Sequence, residues 1–262
     1  MIYVCVVSHF HDDLLMGGEL LSELSGSDVV RVFVKDNVQS ARLRHHCGVL
    51  GIEYIDSSPN KGFGENNNIV FQHIKKNVGF GEGDFFVAIN PDILLTCSVL
   101  IEFVNSLRQD TRRFGTLNLF KDRKMKIHDW SIRKFPTLMD IFASRVFGTI
   151  RNKYEKENID KPCAVDWGSG AFLAFDWKLF EDLGGFDERY FMYFEDVDIS
   201  WRAKRKFNVL LYYYPQYKAI HLARHANRKL ISWHAVWFLK SFMLFKFVSA
   251  FRISRDNTNY WR

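Results

Sequence analysis

What constrains this chain most is a repeated change of hydrophobic period, with polar residues placed where each short apolar run stops. IYVCVVSH, starting at residue 2, closes on Ser8 and His9, and DDLLMGGELLSEL after it carries leucines at helical spacing. VVRVFVKDN, residues 29 to 37, repeats the strand pattern and closes on Asp36 and Asn37; EYIDSS, residues 53 to 58, is a shorter strand. NNIVFQHIKKN reads as a helix, and DFFVAINPDILL as a buried strand stopping at Pro91, which has no N–H to give a ladder. Strands alternating with helices predict an α/β fold, a Rossmann-like, mostly parallel central sheet flanked by helices. Ligands of such sheets sit beyond the carboxyl ends of the strands, where Ser8, His9, Asp36, Asn37, Asn90 and Asp92 all fall. That is the expected geometry of a nucleotide site.

Residues 105 to 165 are less periodic. RRFGTLNLFKD is a further strand, SIRKFPTLMDIFASRVFG reads as a short amphipathic helix, and KYEKENIDKP as a solvated loop. LLYYYP gives a last strand before KAIHLARH. A chain of 262 residues can bury one large α/β core, and no internal repeat or low-complexity tract divides it. The expected organisation is a catalytic domain over residues 1–225 and a C-terminal helical extension over residues 226–262. Cys5, Cys47, Cys97 and Cys163 form no CxxC pair and no dense framework, which fits reduced thiols in the cytoplasm. MIYVCVVSHFHDD has no basic segment ahead of its short apolar run, so no export signal is expected.

Four motifs carry chemistry. NKGFGENNN, residues 60 to 68, offers two glycines for close backbone approach and three Asn side chains for polar ligand atoms. It lacks the Lys-Ser/Thr ending of a P-loop and is not a GxGxxG fingerprint, which argues against ATPase and dinucleotide-binding readings. INPDILL puts Asp92 just after a strand-ending Pro, where one carboxylate and two phosphates can share Mg²⁺ or Mn²⁺; a turn carboxylate capping the next segment explains it as well. FMYFEDVDI, residues 191 to 199, sets Glu195, Asp196 and Asp198 among large apolar side chains, although burying an unpaired carboxylate costs several kcal/mol in order of magnitude. An acidic first turn of a helix is the plain alternative. His221 in KAIHLARH reads as readily as a core histidine as it does as either a phosphate donor or a metal ligand.

The order of these motifs, an Asn/Gly loop, NPD, DWGSGAFLAF and then GGFDERYFMYFEDVDISWR, resembles the inverting family 2 glycosyltransferases of the GT-A fold. The resemblance runs from about Ile2 to Trp237, and SIRKFP, VDW, YFMYFEDVD and AIHLARH make it most similar to bacterial rhamnosyltransferases of O-antigen and cell-surface polysaccharide assembly. It implies transfer of L-rhamnose from dTDP-L-rhamnose to N-acetylglucosamine on a lipid diphosphate; UDP-galactofuranose or another donor on the same fold is the alternative. It further implies Asp36 at the base, and Ser8, His9, Asn37, Gly62, Phe63, Gly64, Asn67, Asn68 and Asn90 around the nucleotide. Asp166, Trp167, Gly168 and Gly170 would form the acceptor or sugar pocket. Asp92 and His221 would hold the metal, with Asn90 standing where the family's Asp-x-Asp pattern has its first acid, one negative charge fewer. Asp196 would be the general base, supported by Glu195 and Asp198, with Arg202 or Arg224 offsetting leaving-group charge. These intact residues argue against a non-catalytic nucleotide-sugar sensor.

The net charge of +6 is unevenly placed: residues 200 to 262 hold thirteen Lys/Arg against Asp256 alone, a charge of +12, which leaves −6 on the first 199. With 25 Phe, 10 Tyr and 7 Trp in the chain, a basic aromatic tail predicts attachment to an anionic membrane surface. No nucleic-acid motif accompanies the basic residues, so a nucleic-acid partner is not expected. LISWHAVWFLKSFMLFKFVSA, residues 230 to 250, is long enough to span a bilayer, yet Lys240 and Lys246 would each cost about 2.5–3.5 kcal/mol near its centre. An interfacial helix on the inner face of the bacterial cytoplasmic membrane is expected, with packing into the core as the alternative.

Overall fold

The period-two runs become strands where the pattern places them. The computed structural model describes residues 1–140, 151–222 and 233–258. In chain order the strands are β1 (Ile2–Ser8), β2 (Val30–Asp36), β3 (Glu53–Ile55), β4 (Phe85–Ile89), β5 (Ile93–Leu94), β6 (Phe114–Phe120), β7 (Ile132–Arg133), β8 (Cys163–Val165), β9 (Trp167–Gly168), β10 (Phe172–Asp176) and β11 (Leu211–His221). Among the described residues nine of them form one sheet in the order β3-β2-β1-β4-β10-β6-β11-β5, with β8 also on β11, while β7 pairs with β9. The long registers, β1 with β2 and β4 and β6 with β11, are parallel; β10, β5 and β8 pair antiparallel.

Alternation along β1 sends side chains to two cores. Ile2, Val4 and Val6 pack with Leu21, Val32 and Val34 on one face, and Tyr3, Cys5 and Val7 with Phe71 and Ile74 on the other. Burial of each such aliphatic or aromatic side chain contributes about 1.5–3 kcal/mol. The helix Phe63–Asn77 lies on the second face through Val70, Phe71 and Ile74.

Four local readings need correction. DDLLMGGELLSEL is two short helices, Asp12–Gly17 and Leu20–Ser25, divided at the glycine pair. SIRKFP begins as strand β7, because the Ile132 and Arg133 backbone pairs with β9 rather than coiling; residues 141–148 of that expected helix lie outside the described residues, as do Arg224 and the expected boundary at 225. KYEKENIDKP is not wholly solvated: a 3₁₀ turn, Lys156–Asn158, buries Lys156. The last strand does not stop at Pro215. Its register slips between Tyr214 and Lys218, which absorbs the missing N–H, and β11 then runs on to His221.

The C-terminal helix, Trp233–Thr258, buries Phe242, Phe245 and Val248. Phe242 and Phe245 pack with Trp167, Tyr190, Phe194, Val197 and Trp201. Val236, Leu239, Met243 and Phe247, spaced by three and four residues, are exposed along a different face. No described helix is long and apolar enough to cross a membrane.

Candidate active site

Register decides which residues meet. Ser8 lies opposite Asp36, and Val6 opposite Ile89, so β1, β2 and β4 end at one edge. Because β10 is antiparallel, with Phe172 opposite Ile89, its start comes to that same edge and brings Gly170 there. The end of β11 arrives with His221 opposite Ile93. The Asn90 N–H donates to Ala171 O at 2.9 Å, and the Gly170 N–H donates to Asp196 Oδ2 at 3.0 Å. Two consecutive residues, Gly170 and Ala171, therefore join the NPD turn to the Glu-Asp pair.

On one side His221 stands between two carboxylates. Its Nδ1 is 2.6 Å from Asp129 Oδ2 and its Nε2 is 3.5 Å from Asp92 Oδ1. Asp129 is fixed by its N–H, which donates to Leu119 O at 2.8 Å. Burial alone would depress the imidazole, but hydrogen bonds and charge from Asp129 and Asp92 raise it to about 9. Burial correspondingly tends to raise both carboxyls, and His221 outweighs it, holding each below the usual range. His11 lies near enough to feel the Asp92 charge, though burial pulls it below its ordinary value. Its Nδ1 accepts the His9 N–H at 2.9 Å. Behind this group the Lys156 ammonium donates to Ser131 Oγ at 2.8 Å, and burial brings it down to about 7. Among the described residues no group of three or more His, Cys, Asp or Glu is arranged to hold a metal by protein ligands alone.

On the other side Glu195 and Asp196 open the helix Glu195–Phe207. The half-buried Asp196 accepts from Gly170 and, through Oδ1, from its neighbour Val197 N–H at 2.8 Å. Withdrawal from water nevertheless raises its pKa above the usual range, against those two N–H groups and the charge of Arg133. Glu195 is buried and its Oε2 has no hydrogen-bond partner; burial first, and the Asp196 charge second, raise it well above the normal value. The residues that lead into this pair, Tyr193 and Phe194, both have φ of 69°, a left-handed backbone disfavoured by roughly 1–2 kcal/mol per residue for side chains with a Cβ.

Asp198 and Arg202 do not fit the supporting roles expected of them. Arg202 is 3% exposed, and its Nε donates to Asp198 Oδ2 at 2.5 Å, Nη1 to Leu183 O and Nη2 to Gly185 O. All three guanidinium nitrogens are used inside the protein, so the pair ties the GGFD turn to the helix and the guanidinium is spent before any leaving group arrives.

The Asn/Gly loop is also largely engaged by protein. A Cβ on Gly62 would come 2.5 Å from Phe191 O, and one on Gly64 2.7 Å from Phe186 Cβ; the glycines admit the loop that precedes Glu195. Phe63 packs edge-on to Phe186 at 5.9 Å. Asn68 accepts from Phe186 N–H at 2.9 Å and donates to Phe186 O at 2.8 Å, and Asn67 donates to Phe63 O. The Asn67 Oδ1 and Ser8 Oγ are buried without a partner. Asp36 caps its own turn, taking Val38 N–H, Ser40 N–H and Tyr54 O–H, and Asn37 holds Lys61 through N–H and C=O. Asp166 receives Phe135 N–H and Lys204 Nζ, Trp167 donates to Lys134 O, and Gly168 makes room for Leu211. His11 and Asp129 were not singled out in the sequence; the signals were there in HFHDD and in the His-Asp pair of KIHDW, but neither has a period or a flanking glycine.

No protein-family model matches the chain. It is 36% identical to rhamnosyltransferase WbbL of Escherichia coli (strain K12) over 264 aligned residues, covering 100% of this chain and 97% of that one. It is 26% identical to the N-acetylglucosaminyl-diphospho-decaprenol L-rhamnosyltransferase of Mycobacterium tuberculosis, covering 80% of this chain and 69% of the relative. Among solved structures it matches the mannosyltransferase PcManGT of Pyrobaculum calidifontis in complex with GDP-Man and Mn²⁺, with a TM-score of 0.57 at 16% identity over 89% of this chain and 59% of that one. It matches GalNAc-T7 with UDP, GalNAc and Mn²⁺ with a TM-score of 0.60 at 12% identity over 94% and 47%. The chain thus spans only about half to three-fifths of those two structures, which speak for the fold alone. With near-complete coverage of WbbL and this α/β architecture, the chain belongs to the family 2 rhamnosyltransferases, glycosyltransferases of the GT-A fold.

Proposed function

We propose that this enzyme transfers L-rhamnose from dTDP-L-rhamnose, with inversion, to N-acetylglucosamine on a lipid diphosphate. The observation that carries the reading is the Gly170–Ala171 link, which sets a carboxylate of raised proton affinity beside the turn that bears Asp92 and its His221 partner. Asp196 takes the proton of the acceptor hydroxyl as that oxygen bonds to the sugar's anomeric carbon and the bond to the nucleotide diphosphate breaks. A carboxylate oxygen and an imidazole nitrogen suit Mg²⁺ or Mn²⁺, so Asp92 and His221 would hold the ion, the remaining positions falling to diphosphate and water. Bound there, the ion supplies charge to stabilise the departing diphosphate. Both ligands must be free of protons, and the raised His221 pKa means that metal binding would release one from Nε2. The unpartnered Ser8 Oγ and Asn67 Oδ1 are spare polar groups on the nucleotide side.

The reading places the enzyme on the cytoplasmic face of the bacterial inner membrane. The +12 charge of residues 200–262 and the exposed Leu239 and Met243 support an anionic bilayer as the surface it meets. A donor panel tests the chemistry: dTDP-rhamnose should support transfer to a lipid-diphosphate N-acetylglucosamine, with the product anomer inverted by NMR, while UDP- and GDP-sugars should not. Transfer from a UDP-sugar alone, or retention at the anomeric carbon, overturns the proposal.

A further inference from the structure

The hydrogen bonds from Gly170 and Val197 fix the Asp196 carboxylate, but the path of the chain that brings it there is set elsewhere. The segment that delivers it, residues 191–194, has two consecutive left-handed residues, and Phe194 provides no side-chain cap for the helix it starts. Such a backbone persists only where surrounding packing imposes it. Here that packing comes from the C-terminal helix. The Phe194 ring lies 5.3 Å from Phe238, 5.6 Å from Phe242 and 5.7 Å from Phe245. Ser241 Oγ donates to Met192 O at 2.9 Å, and the Phe191 ring packs on Trp237 at 5.1 Å. Each of the four residues from Phe191 to Phe194 is thus touched by that helix, since Tyr193 meets Phe238 at 5.8 Å. From the opposite side Phe63 N–H donates to Phe191 O at 3.2 Å, so the segment is gripped between the Asn/Gly loop and the C-terminal helix.

We propose that the C-terminal helix is a positioning element for the general base: Phe242, Phe245 and Ser241 hold residues 191–194 in the left-handed path that aims Asp196 at the acceptor hydroxyl. This rests on Asp196 being the base. It assigns the tail a part in the chemical step, beyond any part in meeting the membrane. A misplacement of the order of an ångström at a reacting group can cost about 100-fold in rate, so a loosened clamp should appear in kcat while donor binding, built on β1, β4 and β11, stays.

The test uses the full chain with saturating dTDP-rhamnose and a short soluble acceptor that needs no membrane. Phe242→Ala and Phe245→Ala should each lower kcat about 10- to 100-fold, with the Kd for dTDP unchanged within about twofold. Phe242→Leu, which refills most of the space, should restore most of kcat, and Ser241→Ala should give a smaller fall of the same kind. Should the phenylalanine-to-alanine variants fail to fold, Ser241→Ala still decides: it must lower kcat and leave dTDP affinity intact, and wild-type kcat in it overturns the proposal, whereas Phe242→Leu serves only as the rescue. Wild-type kcat in the folded variants overturns the proposal, as does an equal loss of kcat and dTDP affinity, which would mean general loosening. Asp196→Asn run alongside separates the two readings, since turnover surviving in that variant would sink the base assignment itself.

Discussion

At Asp92 and Asp129 the carboxyls bind protons less tightly than usual, whereas at Glu195 and Asp196, one strand end away, they bind them more tightly. Burial acts in the same direction on all four. The difference is the counter-charge: His221 sits within hydrogen-bonding range of the first pair, while the second pair has only N–H groups, each other and the more distant Arg133. The first arrangement keeps oxygen atoms anionic and available to a cation, and the second makes a group able to accept a proton. Environments that push like groups apart are how one site divides such roles.

The sharpest way to break that comparison is to neutralise one member of each pair. Asp196→Asn keeps shape but loses the proton acceptor, and kcat should fall about 10²- to 10⁴-fold with dTDP binding retained. Asp92→Ala should do the reverse, weakening metal-dependent dTDP binding first. Calorimetry with and without Mn²⁺, beside single-turnover rates, checks both, and identical behaviour of the two variants would erase the division. In the wild type, the proposed role of Asp196 predicts that turnover rises with pH through a pKa lying above the ordinary 3.8, since a carboxyl accepts a proton only when ionised.

A buried ion pair sharpens the contrast by doing neither job. Asp198 and Arg202 are buried together, and Arg202→Met would leave the carboxylate uncompensated at a cost of about 3–5 kcal/mol. Chemical denaturation should register that loss, and replacing Asp198 by Leu in the same chain should recover much of it. A stability loss for Arg202→Met below about 1 kcal/mol would mean that the pair is not structural.

The smallest effect concerns Glu195. Burial keeps its folded pKa well above the usual 4.5, so between 4.5 and the folded pKa the unfolded chain releases a proton that the native state retains. Stability therefore falls as pH rises through that window, the sign opposite to that of a salt-bridged carboxylate. Glu195→Gln should raise the Tm at pH 8 and leave it nearly unchanged at pH 4; the same Tm difference at both would refute the assignment.

The strands of the first ninety residues were legible because β1, β2 and β4 bury both faces and the hydrophobic effect writes that as apolar runs ending in polar residues. Asp92, Asp196 and His221 were singled out for a different reason, the order of motifs, and the structure brings Asp92 within 3.5 Å of His221. What escaped was tertiary. Nothing local distinguishes a catalytic Arg from Arg202, whose partners Leu183 O and Gly185 O are backbone atoms seventeen or more residues away. SIRKFP has an apolar spacing compatible with a helix, and only β9 makes Ile132 and Arg133 a strand. The tail's lysines obscured its stripe, because Lys246 turns inward to donate to Pro136 O at 2.8 Å, while Val236, Leu239, Met243 and Phe247 are exposed along with Lys240.

The contact of Gly62 with Phe191 O carries a consequence for how this sequence can be recombined. The two residues lie on opposite halves of the chain, yet no side chain fits at position 62 while the later loop holds its path. A chimera that takes residues 1–95 from one relative and the rest from another would import a loop shaped for a different partner surface. Unless both sides of that contact share a parent, exchanging the first half to change sugar preference would also displace residues 191–196, and the hybrid would be silent for reasons unconnected with which sugar it binds.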